Sequence, residues 1–163
     1  AYEFTHPDNS IFLTGPILSE KRLIVGNESG EVYCLITAED DGEKLLKVVW
    51  KFDIEGAVWF APVLAGNTAI TTSSDGVTYA LDQEGQLQRR WRLGVPSADP
   101  IVDGEVTFLA TEDRNIICLR PDNDEPLWKT RLDTAAARSL CVYGGSLFVG
   151  THGGETVQMK TVS

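Results

Sequence analysis

The sequence predicts an all-β fold, and three observations support that prediction. Short runs rich in Val, Ile, Thr, Tyr and Trp alternate with turns rich in Gly, Asp and Asn. This pattern recurs about every 40 residues, a period typical of propellers and repeat arrays. A tryptophan closes each of the first three copies, at Trp50, Trp91 and Trp128. Together these features favour a β-propeller of about four blades, each a four-stranded antiparallel sheet.

The repeat divides a single domain into four units and an N-terminal segment of residues 1–9. The units cover residues 11–53, 57–93, 95–132 and 135–163. The second unit shows four strands most clearly, and they are predicted at Ala61–Leu64, Thr68–Thr72, Val77–Leu81 and Gln86–Leu93. The fourth unit has no tryptophan and stops short of a fourth strand.

The main alternative architecture is one β-sandwich of many short strands. A sandwich gives no reason for Trp50, Trp91 and Trp128 to recur at matching offsets. Stacked blades do give one, because each junction between blades needs a large side chain at the same place. The tryptophans are therefore predicted to be structural residues of the repeat.

Composition limits the classes of partner. The 163 residues carry 24 acidic and 14 basic side chains, for a net charge of -10. Binding to nucleic acid or to an anionic membrane surface needs clustered Lys and Arg, and the strongest basic run, 89–92, stands nearly alone. The chain also has no apolar stretch of about 18 residues. We therefore expect neither nucleic-acid binding nor membrane insertion.

The three cysteines are Cys34, Cys118 and Cys141. They form no CxxC pair, and their odd number fits neither a disulfide framework nor a zinc site. We expect all three to be buried, reduced and slow to react. Unpaired thiols are more typical of a reducing compartment, although the sequence does not establish the location.

One motif of the second unit points to a known family. It consists of the turn Asp75-Gly76, the strand 79–82, then Gly85 and Trp91 before a basic residue. This motif resembles the pyrroloquinoline-quinone-type propeller repeat of quinoprotein dehydrogenases, of an outer-membrane assembly lipoprotein and of sensor domains. The resemblance implies a propeller, an architecture that serves both enzymes and scaffolds.

The enzymatic members of that family resemble propellers of six or eight blades that hold a quinone beside a metal ion, and most have two adjacent cysteines. This sequence has no adjacent cysteine pair and no evident Asp-Glu-Asn set of metal ligands. We therefore expect a non-catalytic interaction or sensing module without cofactor or metal. The alternatives are a quinone-binding dehydrogenase-type domain or the accessory propeller of a larger multidomain protein.

Two other sets of residues suggest sites, but simpler interpretations are preferred. His152 and Ser146 suggest a nucleophile with its base, yet His152 and His6 are expected in turns or at the surface. The acidic run 40–43 lacks the spacing of a calcium loop. It is predicted to be the exposed tip of a hairpin, as is the run 122–125.

The preferred binding candidates are Trp59 and Phe60, which precede the first strand of the second unit. The third unit has Ser97 and Ala98 at these positions. An aromatic pair at a propeller rim is typical of a contact site for a protein or peptide. Packing between blades explains the pair equally well, and the sequence leaves both interpretations open.

The N-terminal segment raises the question of ring closure. Phe4 precedes Pro16 by the distance at which Trp50 precedes Pro62, so Phe4 is predicted at the tryptophan position of an outer strand. That strand would either complete the fourth blade and close a four-bladed ring, or belong to a preceding blade of a larger propeller. The second arrangement is an open arc, for which we expect self-association or pairing with the rest of the propeller.

Overall fold

The fold is built of β-sheets alone in the residues that the computed structural model describes, which are 2–19 and 21–161, with the side chains of 137–139 excepted. The first two sheets are blades 1 and 2. Blade 1 consists of β1 (Ile17–Ser19), β2 (Arg22–Gly26), β3 (Glu31–Asp40) and β4 (Glu43–Asp53). Blade 2 consists of β5 (Val63–Ala65), β6 (Thr68–Thr72), β7 (Val77–Leu81) and β8 (Leu87–Arg92).

The other two sheets are blades 3 and 4. Blade 3 consists of β9 (Ile101–Asp103), β10 (Val106–Ala110), β11 (Asn115–Leu119) and β12 (Trp128–Arg131). Blade 4 consists of β13 (Ala136–Tyr143), β14 (Ser146–Thr151) and β15 (Thr156–Lys160). In every sheet, strands adjacent in sequence pair antiparallel. The predicted propeller blades are confirmed, and no described segment forms a helix that could cross a membrane.

Local turn chemistry sets the strand ends. The hairpin between β3 and β4 turns at Asp41 and Gly42, where φ is 46° and 82°. Positive φ at both central residues gives the turn whose twist suits a two-residue hairpin, and Gly is the residue that adopts it most easily. The acidic run 40–43 is thus an exposed hairpin tip, as predicted.

The apolar core lies between the blades. Strand side chains alternate between the two faces of a sheet, so each inner blade buries one face against each neighbour. Val32 and Cys34 of blade 1 pack with Tyr79 and Leu81 of blade 2. The corresponding clusters join blade 2 to blade 3 and blade 3 to blade 4. Inner strands contact in the order β1, β5, β9, β13, and the described sheets do not close into a ring.

The strand register corrects the predicted equivalence of the three tryptophans. Trp50 lies opposite Cys34 and Trp128 lies opposite Cys118. Trp91 lies opposite Thr78, two residues beyond the corresponding position of blade 2, which Arg89 occupies opposite Ala80. Trp91 still packs at a junction, since it is buried between blades 2 and 3.

Trp50 shows what the shared position does. Its Nε1 donates to the carbonyl oxygen of Gln83 at 2.9 Å, and a Cβ added at Gly85 would lie 2.6 Å from its ring. The tryptophan therefore covers the turn between β7 and β8 of the next blade. Arg89 reaches the corresponding loop of blade 3, with its Nε 2.8 Å from a carboxylate oxygen of Asp124.

The N-terminal segment does not complete blade 4, which was the first of its two predicted arrangements. It lies on blade 1, where Glu3 forms a parallel bridge with Leu45. Phe4 and Phe12 pack against Tyr33, which faces away from blade 2. A preceding blade would cover the same face of blade 1, so the second arrangement, an open arc, stays a prediction.

Candidate functional site

A repeated hydrogen bond defines one rim of the arc. In each blade, the N–H of a residue in the turn between the second and third strands of the sheet donates to the carbonyl that precedes the first strand. The four donor and acceptor pairs are Glu28 to Ile11, Ser74 to Ala57, Glu112 to Val95 and His152 to Ala135. Two residues after these acceptors stand Leu13, Trp59 and Ser97, as the sequence alignment predicted.

Trp59 is the exposed aromatic of this rim. Its neighbour Val58 is fully buried between blades 1 and 2 and donates its N–H to the carbonyl oxygen of Asn27 at 3.0 Å. The N–H of Ala57 is held by Ser74 Oγ at 2.9 Å. Since the buried Val58 fixes the segment, the next side chain turns outward, and Trp59 is 50% exposed.

Trp59 and Phe60 line a cleft of about 280 Å³ that reaches across blades 2, 3 and 4. We call it the Trp59 cleft. Its other walls are formed by Pro96, Ser97, Glu112, Ala135, Ala136 and His152. An apolar floor with a few polar groups at its edge is the usual composition of a binding site.

Three polar residues of this cleft have side chains without an internal hydrogen bond. Ser97 Oγ is buried and has no hydrogen-bond partner. Glu112 and His152 are exposed, and neither side chain makes a hydrogen bond or ion pair with any residue that the structure describes. Sequence reasoning missed Ser97 and Glu112 as neighbours of Trp59, because both belong to another blade.

The structure does not bring Ser146 and His152 together as a nucleophile and its base. Ser146 begins β14, whereas His152 follows the opposite end of that strand. Ser146 Oγ accepts a hydrogen bond from Gln158 Nε2 at 3.1 Å. Within the described residues, no group of three or more His, Cys, Asp or Glu side chains could hold a metal ion.

His6 begins a turn, one of its two expected places, since its carbonyl oxygen accepts the N–H of Asn9 at 3.1 Å, but its side chain is buried and not at the surface. Its Nδ1 accepts the backbone N–H groups of Asp8 and Ser10, at 3.1 and 3.3 Å. Its Nε2 lies 2.6 Å from the carboxylate of Glu31 and 3.0 Å from the hydroxyl of Tyr33. His6 therefore fastens the N-terminal segment to blade 1.

Glu31 is the centre of that attachment. Besides His6, its carboxylate accepts hydrogen bonds from Asn27 Nδ2 at 2.6 Å and Lys51 Nζ at 2.8 Å. Burial acts to raise the pKa of Glu31, but the hydrogen bonds from Lys51, Asn27 and His6 together outweigh it and lower the pKa to about 2. The same contacts with Glu31 and Asp53 raise the pKa of Lys51. This network is structural and lies away from the Trp59 cleft.

The cysteines divide into two kinds. Cys34 and Cys118 are buried at blade junctions, where burial raises the pKa of both thiols, that of Cys118 to about 11. The predicted burial of Cys141 is wrong, since its side chain is exposed. Cys141 lies opposite Phe148, on the face of blade 4 that turns away from blade 3.

A family model described as "Outer membrane protein assembly factor BamB" matches residues 6–94 and again 86–162 of the chain. The two matches together cover nearly the whole sequence. No curated protein matches the chain.

Solved structures show the same fold at low sequence identity. BamB from Moraxella catarrhalis superposes with a TM-score of 0.78 and 16% identity, over 94% of this chain and 48% of that one. The computationally designed Ika4 protein superposes with a TM-score of 0.78 and 13% identity, over 100% of this chain and 96% of Ika4. The computationally designed Ika8 protein superposes with a TM-score of 0.76 and 12% identity, over 93% of this chain and 46% of Ika8. The chain thus spans about half the length of that BamB.

Proposed function

Since the chain belongs to the PQQ-like repeat family described as outer membrane protein assembly factor BamB, we propose that it is a non-catalytic interaction module. Its ligand in this proposal is a protein or peptide, bound in the Trp59 cleft. The observation that carries the proposal is the exposure of Trp59 beside Phe60, in a cleft that spans three blades.

The surroundings of Trp59 support a binding role over a packing role. A tryptophan placed to fill a junction would be buried, as Trp91 is at 4% exposure. Trp59 instead leaves half of its surface to solvent. Large aromatic side chains dominate the binding free energy of many interfaces, because they bury much apolar area at a small entropic cost.

The backbone of the cleft is also held in place before any ligand binds. The hydrogen bonds of Ala57, Val58 and Ser97 tie its walls to strands and turns of blades 1, 2 and 3. Ala61 adds a bond from its N–H to Asp99 Oδ1 at 3.3 Å. A preorganised site loses little conformational entropy on binding, which favours affinity.

The test is a selection of random twelve-residue peptides, displayed on phage, on the immobilised 163-residue chain. We expect the enriched peptides to bind Trp59→Ala at least about 10-fold more weakly, the loss typical of one dominant contact residue. Tyr143→Ala is the matched control, since Tyr143 is an aromatic on blade 4 with 79% exposure. Selected peptides that bind Trp59→Ala as well as wild type would refute the proposal.

A further inference from the structure

The rim that carries the Trp59 cleft is acidic in all four blades. The turns between the second and third strands of the blades are 27–30, 73–76, 111–114 and 152–155. Their carboxylate side chains are Glu28, Asp75, Glu112, Asp113 and Glu155, and their one Lys or Arg is Arg114. The guanidinium of Arg114 donates to the carbonyl oxygen of Asp133 at 2.8 Å.

Three of these carboxylates accept hydrogen bonds inside the fold, whereas Glu112 accepts none among the described residues. Glu28 accepts the N–H of Ile11, and Asp75 accepts the N–H of Val77. Asp113 accepts the hydroxyl of Thr111, which lowers the pKa of its carboxyl. Glu112 lines the Trp59 cleft with no such bond among the described residues. Its charge is therefore available to a ligand.

Two groups of the cleft suit a cationic ligand. The face of an exposed tryptophan attracts a cation, most strongly among the aromatic side chains. A free carboxylate adds a charge-assisted hydrogen bond. Trp59 and Glu112 line the same cleft, and both side chains are exposed.

We infer that the Trp59 cleft binds a basic side chain, an arginine or lysine carried by an extended segment of the partner. This inference rests on the proposed function and specifies the chemistry of the ligand. Arginine fits better than lysine, because its planar guanidinium can stack on Trp59 while its N–H groups bond the carboxylate of Glu112. Phe60 and Pro96 provide an apolar surface for a neighbouring side chain of the same segment.

The charge of the whole chain supports this choice. With a net charge of -10, the protein attracts basic segments and repels acidic ones, so encounter with a basic partner is faster at low salt. A phosphorylated or acidic ligand would meet rim turns that carry five carboxylates and one arginine, and the excess of negative charge would repel it.

The test uses the phage selection together with two synthetic peptides. The sequences enriched on wild type are compared with those enriched on Glu112→Gln and on Glu105→Gln, a matched carboxylate exposed in the turn between β9 and β10. One synthetic probe is the most enriched peptide, and the other has its basic residue replaced by neutral citrulline. We expect arginine and lysine to be enriched on wild type and on Glu105→Gln but not on Glu112→Gln. Citrulline should weaken binding at least about 10-fold.

The outcomes separate the two proposals. Peptides that depend on Trp59 but show no enrichment of basic residues would overturn the inference and leave the proposed function standing. Peptides that bind Trp59→Ala unchanged would overturn both. Basic peptides whose affinity is the same for Glu112→Gln would place the cation elsewhere on the acidic surface and would also overturn the inference.

Discussion

Trp91 and Trp59 are the same type of side chain in two opposite surroundings. Trp91 is 4% exposed and packs between blades 2 and 3 with Ile70, Leu109 and Ile117. Trp59 is 50% exposed at the rim, beside the fully buried Val58. In a repeat fold, large apolar side chains are buried where neighbouring units pack against each other. Trp59 remains half exposed beside Phe60 in a cleft, and this combination supports a contact with another molecule.

The largest expected effect comes from the junction. Trp91→Ala should lower the free energy of unfolding by about 3 to 5 kcal/mol, because it leaves a cavity between two blades. Urea unfolding monitored by circular dichroism measures the change. Trp91→Phe is the control, and we expect it to lose clearly less, since it keeps an aromatic ring and removes an indole N–H that has no hydrogen-bond partner. Equal losses for both variants would show that the cavity is not the cause.

A smaller effect should follow from Gly85, where φ is +77° and a Cβ would meet the ring of Trp50. Gly85→Ala should cost about 1 to 3 kcal/mol through backbone strain, plus the cost of displacing Trp50. Gly104→Ala is the matched control, because Gly104 also has a positive φ of 63° but no neighbour within 4 Å of an added Cβ. If the two variants unfold at the same urea concentration, the contact between the Trp50 ring and Gly85 does not contribute to stability.

Acid should weaken the attachment of the N-terminal segment. The pKa of Glu31 is about 2 in the folded chain against an ordinary value of 4.5. A lowered pKa stabilises the fold fully above about pH 4.5, and that stabilisation is lost as the pH falls towards 2. We expect a contribution of about 1 to 2 kcal/mol, since water partly screens the ion pair with Lys51.

The measurement is urea unfolding of wild type and Glu31→Gln between pH 6 and pH 3. The difference in unfolding free energy between the two proteins should shrink as the pH falls. The reason is that Glu31 becomes protonated in wild type and is then neutral, as the glutamine of the variant always is. A difference that stays constant over this range would show that the charge of Glu31 does not hold the segment.

The reaction rates of the three thiols should differ between the buried blade junctions and the exposed surface. We expect one thiol per chain, that of Cys141, to react quickly with a thiol reagent in the native protein. Cys34 and Cys118 should react only after unfolding, since burial raises the pKa of both. Cys141→Ser should remove the fast phase without changing stability. Fast reaction of all three thiols would contradict the burial of the junctions.

The sequence predicted the strands well and the contacts between distant residues poorly. The second unit matches its predicted strands within two residues, because Gly, Asn and Asp mark the turns locally. The register of Trp91 was missed, since Trp91 pairs with Thr78 while Arg89 takes the place opposite Ala80, a pairing between strands that the repeat in the sequence does not specify. The burial of His6 was missed because Glu31, its partner, lies 25 residues away in sequence.

The candidate site shows the same limit. Trp59 and Phe60 were selected from their own unit by comparison with the smaller residues of the others. Glu112, Ser97 and His152 join them only through the arrangement of neighbouring blades, which no pattern within one unit specifies. The sequence therefore indicates where an unusual aromatic pair lies, and the fold supplies the groups around it.

The central claim is that Trp59 serves binding and not packing, and the stability of Trp59→Ala tests it most directly. Urea unfolding of wild type, Trp59→Ala and Trp91→Ala should be measured side by side. We predict that Trp59→Ala changes the free energy of unfolding by no more than about 0.5 kcal/mol, as expected for an exposed side chain outside the core. A loss as large as that of Trp91→Ala would show that Trp59 fills a junction and would contradict the account.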